Sequence, residues 1–520
     1  MASSAHRPFE PPDLLLEQRI DAFDVAADGR WAVCAVNAPD PARDGYTSQL
    51  WRLPLDGSAL PQWPFTQAGC RDTAPAPSPD GRQIAFLSDR HGGPPQVHLM
   101  PSDGGEARPL TRFACPVIDL AWRPDGTQLA LVCGFAVDPG QRAAGTHDLD
   151  LQRPPRPDNA PELAWRLPYK RDGSGYTLGR RLHLVLVDAD SGAPLQVLTR
   201  GDFDVAEIAW SPDGRLLAYG RSREALGETH CSDLWCLDLA PDGTPGTPRR
   251  LTHDIATAGA PAWSPDGRQL AFTGAREAGN AVLLLWRCLL EGDGGRAERL
   301  GGDDAEVAPG VRPCWHGDAR RVAFAQAWHG LQRIAVVDTD TGGLSVAVQH
   351  DTGQVAALRT AAGRLVYTLE GVEQPLELYT ADWQGGAAHR VSHLNAWWDQ
   401  RQPPQVQRRT FTVPDGRGGQ ERIEGWLFLP QGCRQAMPLL VEVHGGPASY
   451  VLLAFPQGAY RQVLVSHAGT EAELVLYPGG THHVIGQVPP SHRLDALQRI
   501  VGWLQRWIDT PLPVPQESPP

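Results

Sequence analysis

The sequence predicts a mainly β protein, a seven-bladed β-propeller followed by an incomplete α/β domain. Three observations carry that expectation: a turn phrase that recurs at near-constant spacing, an apolar run after each copy, and a change of pattern beyond residue 400. The clearest copy is Trp263-Ser264-Pro265-Asp266-Gly267, followed by Leu270-Ala271-Phe272. It returns as Trp210-Ser211-Pro212-Asp213-Gly214, as Trp122-Arg123-Pro124-Asp125-Gly126 and as Pro77-Ser78-Pro79-Asp80-Gly81, each with its own apolar run. Weaker copies are Asp28-Gly29-Arg30, Trp315-His316-Gly317-Asp318 and Ala362-Gly363-Arg364. Proline presets one backbone angle, aspartate bonds its own backbone and glycine takes the positive φ that closes the reversal. Each copy therefore marks a strand-turn-strand, and a spacing of roughly 44 to 53 residues is close to one four-stranded blade. The gap from Asp125 to Asp213 is near double, and holds an insertion.

Taken in order, residues 1–20 form an N-terminal arm in which Leu14, Leu15, Leu16 and Ile20 sit near helical spacing. Residues 21–395 are the propeller. Its later strands are legible as Gln96 to Met100, Leu182 to Val187, Val282 to Trp286 and Leu376 to Tyr379. The insertion, Gln152 to Tyr176, is rich in Pro and Arg and reads as a loop over one mouth of the ring.

Composition narrows the function. A formal charge of −13 argues against a nucleic-acid or anionic-membrane partner, and no stretch is long and apolar enough to span a bilayer. Nine scattered cysteines lack metal-ligand spacing, which fits reduced thiols. With no signal-peptide core in Met1 to Pro12, the expected location is cytoplasmic. Lys170 is the sole lysine and lies in the insertion, which disfavours Schiff-base chemistry. No cofactor is expected, and no metal: His482 and His483 are adjacent, point apart and have no spaced third ligand.

From Arg408 the pattern changes. Ile423 to Pro430 alternates as a strand, and the apolar run Pro438 to Val443 delivers His444-Gly445-Gly446-Pro447. A strand ending in that phrase is the oxyanion-loop pattern, in which glycine lets backbone N–H groups approach a developing oxyanion. Leu494, Leu497, Val501, Leu504 and Ile508 predict a closing amphipathic helix.

Together these segments resemble the prolyl oligopeptidase family of serine peptidases, especially its acylaminoacyl-peptidase-like and dipeptidyl-peptidase-like members. The shared order is a TolB-like propeller with Ser-Pro-Asp-Gly phrases, then an α/β-hydrolase domain entered through a Gly-Trp-Leu strand and His-Gly-Gly-Pro. Ala472 to His483 resembles the last strand and histidine loop, with His482 at the catalytic base. The resemblance implies an oxyanion loop at His444, Gly445 and Gly446, and a peptide or acyl-peptide substrate.

The family mechanism needs a serine on a Gly-x-Ser-x-Gly elbow, an acid and the histidine. The chain has no such elbow, and no aspartate lies between His444 and His482; only Ser449 and Ser466 are available there. Residues 400–512 are also short for a doubly wound domain of on the order of 200 residues. The expectation is a hydrolase lobe truncated internally, with His482 a relict base and the peptidase inactive. The alternative is a non-catalytic propeller that binds peptides or a protein partner. A third reading makes the internal deletion recent or a sequencing artefact. Leu439 to Val443 and Leu474 to Leu476 would have lost their neighbours, so self-association through the lobe is expected.

Overall fold

The repeat phrase folds as its chemistry dictates. The buried Ser264 hydroxyl donates to Asp266 Oδ1 (2.6 Å) and accepts the Gln269 N–H (2.9 Å). Asp266 Oδ1 takes the Arg268 N–H at 3.1 Å, and Gly267 sits at φ 71°. Ser211 and Ser78 make the same pairs with Asp213 and Leu216 and with Asp80 and Gln83. This is a computed structural model; it describes residues 7–56, 62–138, 148–157, 160–164, 167–171, 175–223, 231–279, 281–290, 295–351, 353–414, 416–429, 452 and 489–508.

The described chain is mainly antiparallel sheet, built from strands consecutive in sequence. The first sheet is Arg19–Val25, Trp31–Asp40 and Gly45–Pro54, with a bridge from Trp51 to Pro64. The second is Asp72–Pro77, Gln83–Ser88, Gln96–Pro101 and Arg108–Pro109. The third spans the insertion: Val117–Trp122, Gln128–Ala136, Arg180–Asp188 and Pro194–Val197. The fourth, Val205–Trp210, Leu216–Ser222, Ser232–Asp238 and Arg249–Arg250, meets the fifth through one parallel bridge, Ser232 to Thr257. The fifth is Thr257–Trp263, Gln269–Ala275, Leu284–Leu289 and Arg296–Arg299. The sixth is Cys314–Trp315, Arg321–Trp328, Leu331–Asp338 and Leu344–Val348. The last is Gln354–Ala361, Arg364–Gly371, Gln374–Asp382 and His389–Arg390.

These sheets follow one another round a ring. The first strand of each touches the first strand of the next, and that of the last touches that of the first. An apolar core fills each joint: Val33, Leu50, Ile84 and Phe86 between the first two sheets, and Ile20, Phe23, Val366 and Leu378 at the closing seam. The phrase tryptophans latch consecutive sheets through their indole N–H. Trp122 donates to Ala76 O (3.0 Å), Trp210 to Ala121 O (3.2 Å), Trp263 to Ala209 O (2.9 Å) and Trp315 to Ala262 O (2.8 Å).

The arm departs from its helical spacing. Two prolines open a 3-10 turn, Pro11–Leu16, capped by Glu10 and Asp13, and the chain is extended again from Arg19. Ile20 therefore points into the seam core instead of continuing a helix. Arg7–Pro8 pairs in parallel with Arg401–Gln402. The strand expected from Val282 starts at Leu284, and Val282 is exposed. Beyond the ring, Gln405–Pro414 and Gln420–Leu429 form a hairpin whose Val406, Trp426 and Phe428 pack on Leu331 and Val372. The closing helix, Pro490–Ile508, forms, and its Leu497 is buried among Phe9, Leu14 and Trp398. The strands expected at Leu439 to Val443 and Leu474 to Leu476, whose edges carried the self-association expectation, lie outside the described residues.

Candidate functional site

The ring axis is lined by the first strands. Three residues before each phrase tryptophan stand Asp119, Glu207, Ala260 and Arg312, and Ala74 holds the equivalent place before Pro77. Ala74, Glu207 and Ala260 have φ of 47°, 57° and 52°, each within a bulge that shifts its strand's register. Such a left-handed conformation costs a residue with a side chain roughly 1–2 kcal/mol, and strain of this kind persists only where surrounding structure fixes it. Here Glu207 Oε2 fixes the neighbouring strand by accepting the Ala260 N–H at 2.8 Å. Gly259 permits that approach, since a Cβ there would come within 2.5 Å of the same oxygen.

The axial charges sense one another. Arg359 Nε stands 3.4 Å from Asp24 Oδ1, and Arg312 donates to Ile208 O at 3.3 Å. Burial pushes the Asp24 carboxyl up against the pull of Arg359, and the Asp119 carboxyl up against that of Arg312. Burial, together with the like charge of Arg359, lowers Arg312.

Beside Glu207 a cavity of about 490 Å³ opens at one mouth of the ring, over the fourth sheet. Pro168 and Arg171, from the insertion, and Thr177, just after it, are among its lining residues. The buried Arg181 donates to Asp202 Oδ1 at 2.7 Å. Arg223 and Arg250 both clamp the buried Asp233, at 3.0 and 2.7 Å. Arg221 is the organising side chain. Its guanidinium lies 3.6 Å from the Phe203 ring centre and 4.4 Å from that of Trp235, a cation–π arrangement that holds the plane flat. The lining serines are committed to the backbone: Ser222 Oγ accepts the Asp204 N–H (2.9 Å) and Ser232 Oγ donates to Ala258 O (2.8 Å). Among the described residues, this mouth can bind and orient a polar chain, and it pairs no nucleophile with a base.

The residues expected from the sequence to carry chemistry, His444, Gly445, Gly446 and His482, lie outside the described residues, as do Ser449 and Ser466. Among the described residues no cluster of three His, Cys, Asp or Glu is placed to hold a metal, and no helix is long and apolar enough to cross a membrane. Among the described residues, cysteines 34, 70, 115, 133, 236, 288 and 314 form no disulfide. Sequence reasoning passed over Asp119, Glu207, Arg312, Arg221 and Phe203. A signal for the first three was present, because they share one position in the repeat.

No family model matches the chain. Among curated proteins, the uncharacterized peptidase YuxL of Bacillus subtilis is 27% identical over 477 residues, covering 88% of this chain and 68% of that protein. Dipeptidyl-peptidase 5 of Porphyromonas gingivalis is 23% identical over 467 residues, 85% of this chain and 64% of its own. Among solved structures, the Pyrococcus horikoshii acylaminoacyl peptidase superposes with a TM-score of 0.65 at 15% identity, over 86% of this chain and 63% of that one. A puromycin-hydrolyzing peptidase of Mycobacterium tuberculosis gives 0.60 at 18% identity, over 89% and 67%. These superpositions show a shared fold, and in every case the chain spans about two thirds of the other protein. Fold and relatives define the class first: a mainly β relative of peptidases. The family is the one the sequence resembles; the chain is a relative of the prolyl oligopeptidase serine peptidases.

Proposed function

We propose that the ring is a seven-bladed propeller over residues 21–395, that residues 400–512 are a partial hydrolase lobe, and that the chain binds short peptides or acyl-peptides without cleaving them. The observation that carries the reading is the mouth cavity, where Arg221 is held between Phe203 and Trp235 beside Glu207. A flat guanidinium presents its N–H edge to carbonyl or carboxylate oxygens, the groups every peptide carries. The non-catalytic half of the proposal is supported by the sequence: no Gly-x-Ser-x-Gly elbow, and no aspartate between His444 and His482. An oxyanion loop and a base with no nucleophile make no acyl intermediate. The unpaired strand edges of such a lobe would also favour self-association.

The test is a titration of the purified chain with short peptides, followed by tryptophan fluorescence, with the peptide recovered and weighed by mass spectrometry. Saturable binding that Arg221→Ala weakens about tenfold, roughly 1.4 kcal/mol, with the peptide recovered intact, is the expected result. Cleaved peptide, or binding indifferent to Arg221→Ala, contradicts it.

A further inference from the structure

The mouth cavity differs in sign from the molecule around it. The chain carries a formal charge of −13, yet among the described residues that line this cavity five are arginines and three are carboxylates. The carboxylates are already engaged. Asp202 Oδ1 accepts from the buried Arg181 at 2.7 Å, Asp204 Oδ1 takes the Leu182 N–H at 2.9 Å, and Glu207 Oε2 takes the Ala260 N–H at 2.8 Å. The arginines are not balanced in the same way. Arg223 shares one carboxylate, Asp233, with Arg250, so two guanidinium charges meet a single negative one. Arg180 is exposed, and among the described residues its guanidinium makes no hydrogen bond or ion pair. Arg221 lies against the rings of Phe203 and Trp235, which hold its charge in place without cancelling it.

We infer that the mouth selects acidic peptides, those with a carboxylate side chain beside the C-terminal carboxylate. The inference rests on the reading of the mouth as a peptide site and adds the chemistry by which it chooses. One guanidinium can give a carboxylate two parallel N–H bonds, and such charge-assisted bonds are roughly twice as strong as neutral ones. A ligand with two neighbouring carboxylates therefore matches a wall with surplus guanidinium charge. A ligand ammonium meets no such surplus, because each lining carboxylate already accepts a donor. The net charge of −13 on the whole chain does not oppose this at close range. In salt of about 0.15 M its field decays over about 8 Å, whereas the arginines form the cavity wall itself.

The probes are N-acetylated Ala-Ala-Glu, Ala-Ala-Gln and Ala-Ala-Gln amide, which carry two, one and no negative charges. Their binding to the full chain is measured by calorimetry. Affinity is expected to fall about tenfold with each charge removed, and the preference is expected to shrink when salt is raised from about 0.05 to about 0.5 M. Arg180→Gln, a change at an exposed side chain, is expected to narrow the preference for the doubly charged peptide several-fold, with the melting temperature recording that the fold is kept. Equal binding of the three peptides, a preference for the amide, or a preference indifferent to both salt and Arg180→Gln would overturn the inference. If the three bind equally and Arg221→Ala weakens them all, the mouth stands as a peptide site and only its choice of acidic peptides fails. Absence of saturable binding by any of the three would overturn both readings.

Discussion

The joints between consecutive sheets and the seam that closes the ring are held by different chemistry. At the joints from the second sheet to the sixth, a tryptophan of the repeat phrase reaches back to a carbonyl of the sheet before it. The seam has no strand shared between the first and last sheets among the described residues. Its apolar core is reinforced by charge and amide contacts: Arg19 with Glu370, Gln18 with Asn395, and Asp13 gripped by Arg7 and Arg401. A joint between neighbours needs only a local phrase. Closure needs partners from opposite ends of the chain, and here it uses buried ion pairs that cost stability unless both halves are present.

The largest expected effect tests that contrast. Asp13 is 2% exposed and carries two guanidinium partners. Asp13→Ala leaves Arg401 buried without its carboxylate and is expected to cost about 3–5 kcal/mol, measured by urea unfolding. Burial pushes the Asp13 carboxyl up, but hydrogen bonds from Arg401 and Arg7 prevail and lower it from 3.8 to about 2. A depressed carboxyl contributes stability that is complete above its unfolded pKa and is lost as pH falls through the folded one. The gap between native chain and variant should therefore narrow as pH drops from about 4 towards 2. A gap that stays constant would mean that Asp13 acts through packing alone.

Trp263→Phe keeps most of the ring's apolar area and removes the 2.9 Å bond to Ala209 O. The expected loss is about 1–3 kcal/mol, the cost of an orphaned carbonyl. If it matches or exceeds the loss at Asp13, the seam is no more charge-dependent than the joints. Ser264→Ala removes two hydrogen bonds inside one turn, and about 1 kcal/mol is expected. A loss as large as that at Trp263 would show that the turn, more than the indole, fixes the joint.

The same contrast explains what the sequence could and could not reveal. The sheets were legible because Pro-Asp-Gly and the run behind it are local, and each repetition reports the same geometry. The tryptophans stood in the phrase, but that they act as latches needed the ring. Arg19 and Glu370 are 351 positions apart, and Asp13 and Arg401 are 388 apart; neither pair has a local pattern to announce it. At the arm, the leucine spacing suggested a helix, yet Pro11 and Pro12 restrict the first turn and Arg19 joins a sheet instead. At the mouth, Glu207 sits three residues before Trp210, outside the turn phrase and with no local pattern of its own. Arg221 and Phe203 come from different strands and loops, so only folding brings them together. His444, Gly445, Gly446 and His482 were recognised by family resemblance, and nothing among the described residues bears on them.

The central claim is a peptidase relative that binds without catalysing, and the most direct measurement is labelling of the purified, folded chain with a fluorophosphonate serine-hydrolase probe, with any adduct mapped by mass spectrometry. The account predicts no specific adduct. Stoichiometric labelling of Ser449 or Ser466, abolished by substitution of His482, would show an assembled nucleophile and base and would contradict it.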